Sequence, residues 1–295
     1  VINLAKDVQV AAIVHADVGE GPCWDSATQT LLFVDVTPGI IYRLDPATGH
    51  VMARGVGQEV GAAVPRAQGG LVVAARNGIG FLDDDPRAGL HIVAPIEGDT
   101  PGNRMNDAKC DPAGRLWAGT MAFNFARGAA SLYRMETDCR YERVLSNLTI
   151  SNGLGWSPSG SSMYFIDSGD AAVDVFDYDL ESGAATNRRR LITFSANEGM
   201  PDGMTVDSDG HLWVAMFGAG AVRRFTPDGQ PSGSVGLPVS QVTSVAFGGA
   251  DFEHLFVTTA AYEMGPDRLG DEPLAGATFV CRPGPTGIPA AVFGG

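Results

Sequence analysis

Positive charge and histidine are scarce in this sequence. Its 295 residues carry 20 Lys and Arg against 34 Asp and Glu, a formal net charge of −14. Nucleic-acid binding depends on basic stripes that neutralise phosphates, and the one basic run is Arg188-Arg189-Arg190. In so acidic a chain that triplet reads as a solvated strand edge or loop, and no nucleic-acid partner is expected. The five His lie at least 35 residues apart, with no H-E-x-x-H. The four Cys, at 23, 110, 139 and 281, form no C-x-x-C. A zinc ribbon and a redox pair are thereby excluded, and reduced, buried thiols in a cytoplasmic protein are the expectation. No apolar run approaches the ~20 residues that span a bilayer, so no membrane partner is expected either. There is no G-x-S-x-G, so a serine-esterase reading lacks its nucleophile elbow. Any metal must therefore be held mainly by oxygen.

Glycine is abundant instead. The chain has 39 Gly, well above the usual level of about 7%, spread without a low-complexity tract. Many turns and many short strands follow. The segments D-P-A-G-R-L-W-A-G-T-M (111–121) and D-S-D-G-H-L-W-V-A-M-F (207–217) repeat each other. Weaker copies appear at 27–35, 66–75, 157–167 and 248–257. Aligned on the first strand residue, the anchors are Leu31, Leu71, Leu116, Met163, Leu212 and Leu255, spaced by 40, 45, 47, 49 and 43 residues. A second strand-and-turn follows several anchors, as in V-D-V-F-D-Y-D-L-E-S-G (173–183), where apolar and polar residues alternate. No amphipathic helix of ten or more residues is visible. Six units of 40–50 residues, each with several short strands, predict an all-β chain folded as one six-bladed β-propeller over residues 1–295. The strand at 9–14 precedes the first unit and is expected to close the ring as the outer strand of the last blade, otherwise built from 243–293.

The period also brings distant polar residues into phase. Glu20, Asn106, Asn152, Asp202 and Thr243 stand 10 to 12 residues before their anchors, where the second unit has only Val60-Gly61-Ala62. Equivalent positions in successive blades ring the central channel, so Glu20, Asn106, Asn152 and Asp202 are expected to converge at one mouth. The local segments E-G-P, N-D-A, N-G-L and D-G-M read as turns, with Gly permitting the backbone to aim a polar side chain inward. Two carboxylates and two amide oxygens suit one hard divalent cation. Calcium, magnesium and manganese fit best, calcium first; zinc and iron(II) fit with carboxylate and water ligands.

Taken together, G-E-G-P-x-W (19–24), N-R-M-N-D (103–107), S-N-G-L (151–154), P-D-G-M (201–204) and E-P-L-A-G-A-T-F (272–279) resemble the senescence marker protein/regucalcin/gluconolactonase family from about residue 9 to 293. The resemblance implies a six-bladed propeller with one catalytic divalent metal that hydrolyses lactones, mostly of sugars. It implies Glu20, Asn152 and Asp202 as metal ligands, Asp202 also as general base, and Arg104 and Asn106 as substrate-binding. Where some members carry acidic residues that contact sugar hydroxyls, this chain has Ala122-Phe123-Asn124-Phe125. Asn124 is accordingly expected on the substrate, in a pocket that is more apolar and favours a smaller or less polar lactone.

The chemistry expected is ester hydrolysis, with a water activated either by Asp202 or by the ion. Asp202 is read as a monodentate ligand whose second oxygen meets the water. Arg104 offers forked donors to ring hydroxyls or the carbonyl, or else forms an ion pair with Asp107 or Glu59. Asp107 is expected to orient the site from behind. The partner would be a small lactone, and the protein a monomer or weak homo-oligomer. Three other readings share the architecture: a metal-dependent organophosphate hydrolase, a non-catalytic calcium-binding regulator, and a protein-binding platform.

Overall fold

The computed structural model describes residues 2–5 and 7–295. Its 24 strands form six four-stranded antiparallel sheets, with one short α-helix at Pro266–Asp271. Each sheet is a propeller blade. The innermost strands, in blade order, are Gly19–Asp25, Val60–Pro65, Asn103–Cys110, Ser151–Trp156, Met200–Val206 and Val242–Gly248. All six expected anchors fall on the first or second residue of a blade's second strand. The expected closure is present: Gln9–Ala12 pairs antiparallel with Thr278–Cys281 as the outer strand of blade 6.

Blades alternate polar and apolar faces poorly because inner strands are covered on both sides. Apolar side chains therefore gather into six cores, one at each blade–blade interface. Trp117 and Trp213, the tryptophans of the repeated L-W, are fully buried in two of them. The aspartate of each repeat explains why its turn precedes a tryptophan. Asp207 Oδ2 accepts from Trp213 Nε1 at 2.9 Å and from Arg224 at 2.7 and 2.9 Å, while Oδ1 caps the turn at His211 N. Asp111 does the same for Arg115 and Trp117 and also accepts from the Tyr178 hydroxyl. Arg188, Arg189 and Arg190 lie on the outer strand of blade 4, as expected of a strand edge. They pair with Asp174, Asp177 and Asp170. Among the described residues, no helix is long and apolar enough to cross a membrane. The four cysteines are unpaired; Cys110 and Cys281 are buried, Cys23 and Cys139 only partly.

One local reading is corrected. E-G-P, N-D-A, N-G-L and D-G-M are not turns but parts of inner strands. The ladder between first and second strands slips at the same place in every blade: Glu20/Cys23, Val60/Ala62, Met105/Ala108, Ser151/Leu154, Pro201/Met204 and Val242/Ser244. A β-bulge leaves residues unpaired and re-aims a side chain. Pro22, which has no N–H to give, is tolerated there for that reason. The four polar residues read as heading turns therefore sit at four of the six bulges, which recur in phase around the channel.

Candidate metal centre

The bulges bring Glu20, Asn106, Asp107, Asn152, Asp202 and Thr243 to one stretch of the axis, all of them buried. Adjacent blades must approach closely for this. A Cβ on Gly61 would lie 1.8 Å from Asn106 O, so the blade that lacks a polar ring residue supplies the space in which Asn106 sits. Gly21, at φ 54°, adopts the left-handed conformation that turns Glu20 inward. Glu20 Oε2 then accepts from Gly21 N at 2.9 Å.

Asn152 is oriented without ambiguity. Its Nδ2 donates to Asp202 Oδ1 and, at 3.0 Å, to Ser168 Oγ. Ser168 Oγ in turn donates to Pro201 O at 2.7 Å, so it accepts from Asn152. Both amide N–H groups are thus used, and Oδ1 is left buried with no partner. A buried acceptor without a donor is costly, and this one belongs to the amide that holds the Asp202 carboxylate. Burial raises the Asp202 pKa well above the carboxylate range and Asp107 adds to the rise, against the Asn152 hydrogen bond and Arg104. Glu20 is raised by burial, then by Asp202 and Asp107. Like charges gathered in a dry place, beside an orphaned amide oxygen, are the donor set that a hard divalent cation satisfies. Glu20, Asn152 and Asp202 fit such an ion.

Arg104 makes two hydrogen bonds, both from Nη1: to Met105 O at 2.9 Å and to Asn106 Oδ1 at 2.8 Å. Burial lowers its pKa, against Glu20, Glu59, Asp202 and Tyr262, which surround it. Asn106 Nδ2 donates to Ser151 O at 3.0 Å, tying blade 3 to blade 4. With its Oδ1 already engaged by Arg104, Asn106 is less free to bind an ion than Asn152. Asp107 lies behind, its pKa raised by burial and opposed by Lys109. Thr243 Oγ1 closes the ring by donating to Gly19 O at 2.5 Å.

The structure does not bring Asn124 to this cluster. It is exposed, and its Oδ1 accepts from Ala126 N of its own turn at 3.1 Å. Its neighbours Phe123 and Phe125 are exposed, and Phe123 lies under the Arg76 guanidinium at 5.0 Å. Sequence reasoning missed Ser168, which fixes the Asn152 amide, and Lys109 and Tyr262. Ser168 and Tyr262 follow the second strands of blades 4 and 6, outside the repeat that was counted. Lys109 was within reach of it, three residues past Asn106.

A second acidic group, Asp207, Asp209 and His211, offers ligand atoms within 4.8 Å of one another. It lies at the opposite end of the blade 5 inner strand from Asp202. Asp207 is already committed to Arg224 and Trp213, so a cation there would compete with a buried guanidinium.

Fold and site together define a class: six-bladed propellers with an oxygen-donor cluster at one axial mouth. The profile of the SMP-30/Gluconolactonase/LRE-like region matches residues 18–261, and the chain belongs to that family. It is 38% identical to regucalcin of Danio rerio over 283 residues, 95% of each chain. A solved luciferin-regenerating enzyme superposes with a TM-score of 0.90 at 34% identity, covering 98% of this chain and 99% of that one. A calcium-binding protein, regucalcin, from Agrobacterium tumefaciens superposes with a TM-score of 0.93 at 28% identity, covering 97% of each.

Proposed function

We propose that the protein is a metal-dependent lactonase, opening a sugar lactone or related small lactone to its hydroxy acid. The observation that carries this reading is the buried, unpartnered Oδ1 of Asn152, whose Nδ2 holds Asp202, a carboxylate whose charge acts on that of Glu20. Glu20, Asn152 and Asp202 would hold one divalent ion, calcium first among the candidates. When bound, such an ion supplies Lewis acidity toward a carbonyl oxygen. The chain's own groups do the rest. Arg104 presents donors to the lactone ring oxygens or hydroxyls beside Asn106. Asp202 Oδ1 is held by Asn152, which leaves Oδ2 to accept a proton from water as its oxygen attacks the carbonyl carbon. The ring C–O bond then breaks, and the proton on Oδ2 passes to the departing alkoxide.

The test is acid release followed in a pH-stat. Metal-stripped protein receives glucono-, galactono- and xylonolactones and simple γ- and δ-lactones, with Ca²⁺, Mg²⁺, Mn²⁺, Zn²⁺ or Fe²⁺ restored in turn. Metal-dependent release, abolished in Asp202→Ala, is expected. A second reading, calcium binding without hydrolysis, draws on the calcium-binding description of the Agrobacterium relative. Tight Ca²⁺ binding with no acid release on any lactone would favour it.

A further inference from the structure

Beyond the ring of bulges the channel holds a cavity of about 240 Å³ to which all six inner strands contribute, floored by residues 288–291. Among the described residues, Asp107 and Lys109 are the only charged side chains on its wall. Lys109 Nζ reaches across the channel and donates to Met204 O at 2.6 Å, two residues past Asp202 on the inner strand of blade 5. Its other two N–H donors meet no protein acceptor among the described residues. Cys23, also on the wall, gives no balancing charge: burial pushes its thiol up to about 12. The field of Lys109 reaches Asp107, Cys23 and Glu20.

Around the axis stand the carboxylates of Glu20, Asp107 and Asp202 and the cations of Arg104 and Lys109. When all are ionised, one negative charge is left over, and a divalent ion turns that into one positive charge. A site without Lys109 would neutralise the ion fully before any substrate arrived. We propose that Lys109 is a positioning residue that acts on the ion from below, weakening the site's hold on a divalent cation so that one positive charge remains for an oxyanion formed on the substrate. This rests on the reading of Glu20, Asn152 and Asp202 as a divalent-ion site. Lys109 touches neither ion nor substrate; it works through the channel, moored to the strand that carries Asp202.

The experiment is calorimetric titration of metal-stripped, full-length protein with Ca²⁺ at fixed pH and ionic strength. Wild type, K109M, D107N and K109M/D107N are compared. K109M is expected to bind on the order of tenfold more tightly and D107N on the order of tenfold more weakly, as a neighbouring buried charge acts on a charged ligand. The double variant is expected to return near wild type. The rise in Tm on adding Ca²⁺ is expected to be larger in K109M than in wild type. A merely structural lysine would not give opposite shifts that cancel. Should K109M alone fail to fold, D107N against K109M/D107N reads the same effect with no orphaned carboxylate. Wild-type binding with unchanged or weaker affinity on losing Lys109 overturns the proposal. No Ca²⁺ binding by wild type overturns the divalent-site reading itself.

Discussion

Glu20 and Asp202 are expensive residues to fold around. Burial, then neighbouring carboxylates, raises their proton affinity above that of the unfolded chain, where such groups titrate near about 4. The folded state therefore binds more protons between the unfolded and the raised folded values. Stability falls as pH rises through that window. In EDTA, the protein is expected to lose Tm between pH 5 and pH 8 on account of these groups. E20Q and D202N should each melt above wild type at pH 8 and lose that advantage near pH 4. Ca²⁺ should reverse the order, since wild type keeps the full ligand set. D202N should also lose at least about 10²-fold in lactone hydrolysis, the usual worth of a positioned base. Melting curves with and without EDTA decide it. A wild-type Tm that does not fall with pH, with no gain in either variant, would mean that burial does not burden these carboxylates. Asn152 differs from both: its Oδ1 carries no proton equilibrium in this range, and it is buried with no hydrogen-bond partner.

Among the elements, the inner strands carry the site, and their bulges decide where each side chain points. Gly61 shows how tightly this is set. It has no polar role, yet an added methyl would strike Asn106 O at 1.8 Å and Asn106 C at 2.6 Å, both backbone atoms. G61A is expected to lose about 1–3 kcal/mol, the usual cost of overpacking, and to displace Asn106 and with it Arg104. A raised KM on a hydrolysed lactone, alongside a lowered Tm, would read that displacement; an unchanged Tm would show that the blades can part. These contacts also explain what the sequence could reveal. The blades were legible because every second strand carries an apolar anchor at its first or second residue, at a period of 40–49 residues. Residues a fixed distance upstream fall in phase because the inner strand is tied to the second by one ladder. The bulges were not legible. A bulge and a turn share Gly, Pro, Asn and Asp, and only the pairing partners distinguish Glu20-Gly21-Pro22 in a strand from the same residues in a loop. Asn124 was misplaced for a related reason. It lies just past the strand Leu116–Ala122, where the ladder no longer constrains direction, and its own turn captures it. Ser168 and Tyr262 stand in loops with no period to count.

At the scale of the whole molecule, both termini hold the ring shut. The C-terminal segment crosses the end of the channel away from the site. Ser208 N donates to Thr286 O and Gly287 N to Phe252 O, while Phe293 N donates to Pro65 O on the far side. Phe293 is fully buried there against Phe81, which Arg66 stacks over at 3.6 Å. At the other end of the chain, Leu4 N donates to Ser234 O on the outer edge of blade 5, and Gln9–Ala12 then supplies the last strand of blade 6. Blade 6 is thus built from both ends of the chain, and its inner strand lies against those of blades 1 and 5, which carry Glu20 and Asp202. Removing residues 1–13 would uncover the edge of Thr278–Cys281 and expose Phe279 and the core beneath it. An unpaired edge of that kind recruits other chains. The truncated protein is expected to aggregate, or to melt on the order of 10 °C lower, and to bind Ca²⁺ more weakly although every candidate ligand remains. A peptide of residues 2–14 added in trans should recover part of both losses, because the groove it fills is already formed by Thr278–Cys281. Calorimetry and size-exclusion chromatography of the truncated protein, with and without the peptide, would read the outcome. Undiminished Ca²⁺ affinity in the truncated, soluble protein would mean that the mouth of the channel keeps its shape without ring closure.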